Sequence, residues 1–382
     1  MSSFHRGTAR LAAVGLAIGL VAACGDSTAP ELADPAALTA ELAAANEPLE
    51  TPVFQSFEGL DNLSTPIAAA APAGALLLAT RPSRLAATGD PTVRSVATAE
   101  RLRALVPRLS ILATQDTIIP DTLVGTWVWD EVNDTYVKSG TRPAPANTVR
   151  IILYVTDEFT EMPVEPVDEI GYLDIVDNQP VGAGYSVGVT VKDSAGTTTY
   201  VDYDVTVTPG TGSFTASAAG FVSNGLQGAL ERTLDFTSNF SASGTETSGS
   251  VSADATFDLN NPSISLELHD DATFSGTTAT FTRDFRFHRP GEVITLAGTV
   301  TVDQPALDTF EITLDITVKV NGGTYARIQG TITIEGDIVT QDVTISGPGR
   351  NQGEVLAALT FAADGLFGAI DHLFDPIESL TP

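Results

Sequence analysis

Histidines beside carboxylates are the residues of this chain that could most readily bind a metal ion. His269 is followed directly by Asp270 and Asp271, and His288 ends a segment rich in phenylalanine. If the two segments pair as β-strands, these four side chains approach one another and offer nitrogen and oxygen ligands to a hard or borderline cation. Their spacing matches no metal-binding motif. We therefore interpret them as a polar turn beside a strand end and predict neither a metal ion nor another cofactor.

Residue patterns for catalysis are weak in the rest of the sequence. The chain has no glycine-rich phosphate loop that ends in lysine, and its single cysteine, Cys24, leaves no other thiol for covalent catalysis. An acidic pair suited to glycoside hydrolysis, Glu165 with Asp168 or Glu169, lies in a proline-broken segment typical of a solvated loop. We expect a non-catalytic protein, and a metal-dependent hydrolase is the weakest of three hypotheses.

The start of the chain has the pattern of an export signal. A positively charged beginning precedes a short apolar run at residues 11–21, and Ala23 comes directly before Cys24. The run is too short for a stable membrane-spanning helix and is typical of a secretory signal peptide. With the cysteine directly after the small residue, residues 2–26 resemble the signal of bacterial lipoproteins.

This resemblance implies where the protein is located in the cell. The signal would be cleaved between Ala23 and Cys24, and the lipidated Cys24 would become the first residue of the mature protein. More than one acyl chain gives stable membrane attachment. The resemblance thus implies a protein of the bacterial cell envelope, anchored through Cys24 and facing the periplasm or the exterior, and it implies no activity.

The amino-acid composition limits the classes of molecule that the protein is expected to bind. The formal net charge is −29, which argues against nucleic-acid binding because phosphate backbones are repelled. Hydrophobic residues make up 43% of the chain, enough to bury a core. With Cys24 alone, the protein has no intrachain disulfide and no cysteine–zinc site. The predicted partner is the membrane, with a lipid or apolar small molecule as a further candidate, while protein partners stay unidentified.

The hydrophobic pattern predicts a mainly β protein with helices at both ends. Alternating apolar residues dominate from about Ile118 onward, and short turns join the segments in sequence order. We expect a long, curved antiparallel meander sheet or a sandwich, on which an N-terminal helical block and a C-terminal amphipathic helix pack. The predicted regions are the signal peptide (1–23), lipidated cysteine and tether (24–33), helical block (34–115), smaller β region (116–208), long-stranded antiparallel region (209–350) and C-terminal helix with tail (351–382).

Three functions fit this organisation. The first is a non-catalytic structural or interaction module, the second is a carrier of lipid or another apolar ligand, and the third is the hydrolase. A carrier would hold its ligand between the curved sheet and the C-terminal helix. The residues predicted to line that cavity are Phe281, Phe285, Phe287, Phe310 and Leu314 on strands, and Leu359, Leu366 and Ile370 on the last helix.

Overall fold

The computed structural model describes most of the predicted β regions and a short N-terminal segment. The described residues are 30, 32–58, 119, 121–156, 162–178, 185–210, 212–245, 248–306, 309–335 and 338–351. The predicted export signal with Cys24, the predicted helix beyond residue 351 and most of the predicted helical block after Glu58 lie outside them.

Within the described residues, fifteen strands form one continuous hydrogen-bonded sheet. The strands are β1 (Gly125–Asp130), β2 (Thr135–Lys138), β3 (Thr148–Tyr154), β4 (Glu169–Asp177), β5 (Tyr185–Asp193), β6 (Thr199–Gly210), β7 (Ser213–Ser223), β8 (Thr233–Gly244), β9 (Ser248–Leu259), β10 (Ile264–Ser275), β11 (Thr278–Arg289), β12 (Glu292–Ala306), β13 (Thr309–Val320), β14 (Gly323–Glu335) and β15 (Ile338–Ser346). From β3 to β15 each strand pairs antiparallel with the next, as the sequence predicts. Among the described strands β2 and β15 are the two ends of the sheet order, so the sheet is not closed.

The beginning of the sheet departs from the predicted antiparallel meander. β1 pairs in parallel with β3 and antiparallel with β2, so β2 takes the edge position. The physical reason lies in β1, whose Trp127 and Trp129 are both buried. The ring of Trp129 meets that of Tyr136 edge to face at 5.5 Å. Placing the four-residue β2 outside shields β1 and leaves only a short edge exposed.

Alternation along the strands separates two faces of the sheet. On β10, Leu266 and Leu268 are buried, whereas His269 and Thr273 are exposed on the opposite side. We call the apolar side the inner face and the polar side the outer face. β3 is buried on both sides, as predicted, since consecutive residues from Ile151 onward are all buried.

Glycines on the inner face allow neighbouring strands to approach closely. A Cβ atom on Gly298 would lie 2.1 Å from the carbonyl oxygen of Asp315, and one on Gly330 would lie 2.0 Å from that of Asp342. No side chain fits at such distances, so both positions require glycine. Gly276 has a φ of +57° and lies in the turn between β10 and β11.

Two short helices lie at one end of the sheet. They are α1 (Pro35–Asn46) and α2 (Pro52–Glu58), joined through a 3₁₀ turn. Asp34 caps α1, because its carboxylate accepts hydrogen bonds from the backbone N–H groups of Ala36 and Ala37. Within the described part of the chain, neither helix has the length and hydropathy needed to cross a bilayer.

Consecutive hairpin turns alternate between the two ends of the sheet. We call the end that carries the β7–β8, β9–β10, β11–β12 and β13–β14 connections the helix end, because α1 and α2 contact it. The opposite end, with the β10–β11 and β12–β13 connections, is called the far end. Strands of 12 residues, such as β10 and β11, separate the two by about 40 Å.

A buried ion pair fastens the N-terminal segment to the helix end. Arg289 and Glu292 flank the β11–β12 turn, with side chains only 5% and 2% exposed. Arg289 donates from Nε to Glu292 Oε2 at 2.7 Å and from Nη1 to Glu41 Oε2 and to the carbonyl oxygen of Asp34, both at 3.2 Å. Glu292 Oε1 accepts from the backbone N–H of Ala33 at 2.8 Å. We call this arrangement the latch.

Further polar contacts carry the same segment across the sheet. Glu47 pairs with Arg232 at 3.1 Å and accepts a hydrogen bond from Asn224, both in the β7–β8 connection. Ser56 Oγ accepts from the backbone N–H of Tyr154 at the end of β3. Residues 33–56 therefore bridge β12 and β3, nine strands apart in the sheet order.

Candidate functional site

His269 is the centre of a charged cluster on the outer face. It lies in the middle of β10, not at the turn that the sequence predicts, since β10 continues to Ser275. Its neighbours across the strands are Asp254 on β9 and Asp284 on β11. Nδ1 of His269 lies 2.5 Å from Asp254 Oδ1, and Nε2 lies 3.1 Å from Asp271 Oδ2. The imidazole thus lies between two carboxylates, with about half of its surface exposed.

These carboxylates change the acidity of the imidazole. The hydrogen bond to Asp254 is the largest cause of a raised pKa of His269, and the charges of Asp271 and Asp254 act in the same direction. Partial burial opposes the shift. The cluster borders a hollow of about 270 Å³ whose lining also includes Glu267 and Arg286. The two carboxylates therefore favour the protonated form of the His269 imidazole, which they hold in place as hydrogen-bond acceptors.

Asp270 does not join this cluster. It faces the inner side, where it forms a two-point ion pair with Arg283 of β11, with Nε–Oδ1 at 2.9 Å and Nη2–Oδ2 at 2.5 Å. The reason is the period of two along β10, which places Asp270 between the buried Leu268 and Ala272. The idea of one site for all four predicted ligands is thus wrong.

His288 is also remote from His269, although both lie on the outer face. It lies four residues along β11 from Asp284, the residue opposite His269, which corresponds to about 13 Å. Its Nε2 is 3.6 Å from Glu267 Oε1. Among the described residues no three histidine, cysteine or acidic side chains form a group that could hold a metal ion.

One of the acidic candidates for glycoside hydrolysis forms an ion pair. Glu169 begins β4, and its carboxylate accepts a hydrogen bond from Arg142 at 2.7 Å. Glu165 and Asp168 precede β4 in irregular structure, as predicted for a loop. Glu169 is thus engaged in a partly exposed ion pair at the start of the strand.

The expectation that the chain contains no G-x-S-x-G pattern is wrong. Residues 184–188 have the pattern G-x-S-x-G, which places a nucleophilic serine at a strand-to-helix turn in α/β-hydrolases. Here Ser186 lies within β5 and pairs with Thr206 of the antiparallel β6. The motif therefore lacks the turn that would expose the serine for catalysis.

The strand residues predicted to line an apolar cavity divide into two groups. Phe285 and Phe287 are 3% and 0% exposed and belong to the large core. Phe281, Phe310 and Leu314 are half-buried and lie nearer the far end. The three helix candidates, Leu359, Leu366 and Ile370, lie outside the described residues.

The second group contributes to a second, smaller apolar cluster, and Phe281 also packs against the large core. Its buried centre is Val302, Ile312 and Ile332 on β12 to β14. Large apolar side chains around that centre stay half-buried, so this part of the inner face has less cover than the core near the helix end. We call it the far-end cluster; its half-buried members are Phe281, Val300, Phe310, Leu314, Ile334 and Val343.

Comparison with known proteins gives no relative. No protein-family model, no curated protein and no solved structure matches the chain. The function is therefore inferred from the chain's own residues.

Proposed function

We propose that this chain is a membrane-anchored, non-catalytic lipoprotein of the bacterial cell envelope that acts as a structural or interaction module. The sequence signature around Cys24 supports the anchor. The observation that supports the module is the single 15-stranded sheet, which the buried latch ties to the N-terminal segment next to that signature. Its outer face carries exposed polar side chains to which a partner would bind.

The finer architecture belongs to the same proposal. We infer that the remainder of the predicted helical block and the C-terminal helix cover parts of the inner face. The apolar character of that face supports this, because a one-sided sheet is stable only when its apolar side is covered.

The anchor is tested by expressing the full chain in a bacterial host and measuring the mass of the mature protein. We expect a chain that begins at Cys24 and carries acyl chains, and that floats with lipid vesicles. The matched control is Cys24→Ser, which should retain the fold and lose both the added mass and the flotation. An unmodified Cys24 in the parent protein would contradict the proposal.

A second candidate function is a carrier of lipid or another apolar ligand. The observation that favours it is the far-end cluster, where large apolar side chains on the inner face remain half-buried. An acyl chain covering them would gain about 25 cal/mol for each Å² of apolar surface removed from water. The ligand would lie along β11 to β14.

Native mass spectrometry tests the carrier on protein that begins at Gly25 and is purified without detergent. Adducts with the mass of a fatty acid or phospholipid are expected. Leu314→Gln, on the inner face, should reduce them, whereas Thr313→Gln on the outer face of the same strand should not. A clean ligand-free mass, or equal adducts in both variants, would contradict the carrier function.

A further inference from the structure

We propose that the helix end of the sheet faces the lipid bilayer that holds Cys24, and that the far end points away from it. This orientation rests on the proposed function, since it requires the lipid anchor. It assigns a membrane-facing surface to α1, α2 and the turns that they contact.

The first argument is the short length of chain between the anchor and the sheet. Five residues separate Cys24 from Pro30. Even fully extended, this stretch reaches only about 21 Å. Pro30 lies against Gly323, the first residue of β14 at the helix end, because a Cβ atom on Gly323 would lie 3.2 Å from Cβ and Cγ of Pro30.

The residues that follow Pro30 remain at the helix end. Three residues later Ala33 donates its N–H to Glu292, whose side chain is only 2% exposed. Arg289 holds the following residues through the carbonyl oxygen of Asp34 and the carboxylate of Glu41. The anchor is therefore joined to a buried contact at the helix end, and the far end lies about 40 Å farther along the strands.

Two matched cysteine variants at the ends of one strand test the orientation. Ser263 precedes β10 at the helix end, Ser275 ends β10 at the far end, and both are exposed. Lipidation would occupy the sulfur of Cys24, the only native cysteine, so Ser263→Cys and Ser275→Cys each provide the one thiol for a fluorescent donor. The labelled, full-length mature proteins are reconstituted in vesicles that contain an acceptor-labelled lipid.

We expect energy transfer to the lipid to be several-fold higher from position 263 than from position 275. Equal transfer, or higher transfer from position 275, in protein that floats with the vesicles would overturn the orientation and leave the anchor intact. Protein that lacks lipid mass and does not float would overturn the anchor and the orientation together. Unlabelled parent protein, which should react with no more than trace dye, is the control for labelling at Cys24.

Discussion

Replacing Arg289 by methionine removes the positive charge of the latch while keeping a side chain of similar length. The Glu292 carboxylate, 2% exposed, would then retain only the hydrogen bond from the Ala33 N–H. Removing one partner of a buried ion pair costs about 3–5 kcal/mol, because the remaining charge is neither hydrated nor paired. That loss is a large fraction of the 5–15 kcal/mol by which a typical domain is stable. We expect Arg289→Met to lower the free energy of unfolding by about 3–5 kcal/mol.

The assay is urea denaturation of protein that begins at Gly25, together with hydrogen exchange of residues 33–56. Arg327→Met is the matched control, because Arg327 pairs with Asp315 on the outer face with both side chains about half exposed. It should leave the denaturation midpoint nearly unchanged. Arg289→Met combined with Glu292→Leu should recover most of the lost stability, since no charge remains buried. If Arg289→Met is no more destabilising than Arg327→Met, the latch does not hold the N-terminal segment.

Two further predictions concern His269 and the inner-face glycines. An NMR titration should give a raised pKa for His269, and Asp254→Asn should lower it more than Asp271→Asn does, because the hydrogen bond to Asp254 is the largest cause. An equal effect of the two variants on the pKa would refute this assignment. Because the pKa of His269 in the folded protein exceeds the unfolded value of 6.5, the stability that this cluster contributes is complete below about pH 6.5 and is lost as the pH rises through the folded pKa. Gly298→Ala should lower the free energy of unfolding by about 1–3 kcal/mol through overpacking. Gly140→Ala is the control and should not lower it, because a Cβ atom there meets nothing within 4 Å. Thermal denaturation of both variants measures the difference.

Local patterns predict the sheet well because its hairpins are local structures. Apolar alternation and the turn after Asp193 predict β5 and β6, and the structure shows why the turn forms: the Asp193 carboxylate accepts hydrogen bonds from the N–H groups of Thr197 and Thr198. Asn321 and Gly322 likewise turn β13 into β14 with positive φ values. In each case the residues that fix the structure lie within a few positions of one another.

Long-range contacts are the part that the sequence does not reveal. Ala33 and Glu292 are 259 positions apart, and nothing local to either residue indicates the other. The parallel pairing of β1 with β3 depends on shielding Trp127 and Trp129, which is a property of the whole sheet. The wrong prediction for Asp270 could have been avoided from the sequence. The apolar residues two positions before and after it indicate that its side chain lies on the inner face.

The meander order has a consequence for how the protein acquires its structure. From β3 onward each strand finds its partner next to it in the chain, so the sheet can grow hairpin by hairpin with small loops to close. The latch cannot form until β11 and β12 exist, because Glu292 must meet Ala33. The N-terminal segment, which is nearest the proposed lipid anchor, is therefore among the last parts of the fold to become fixed.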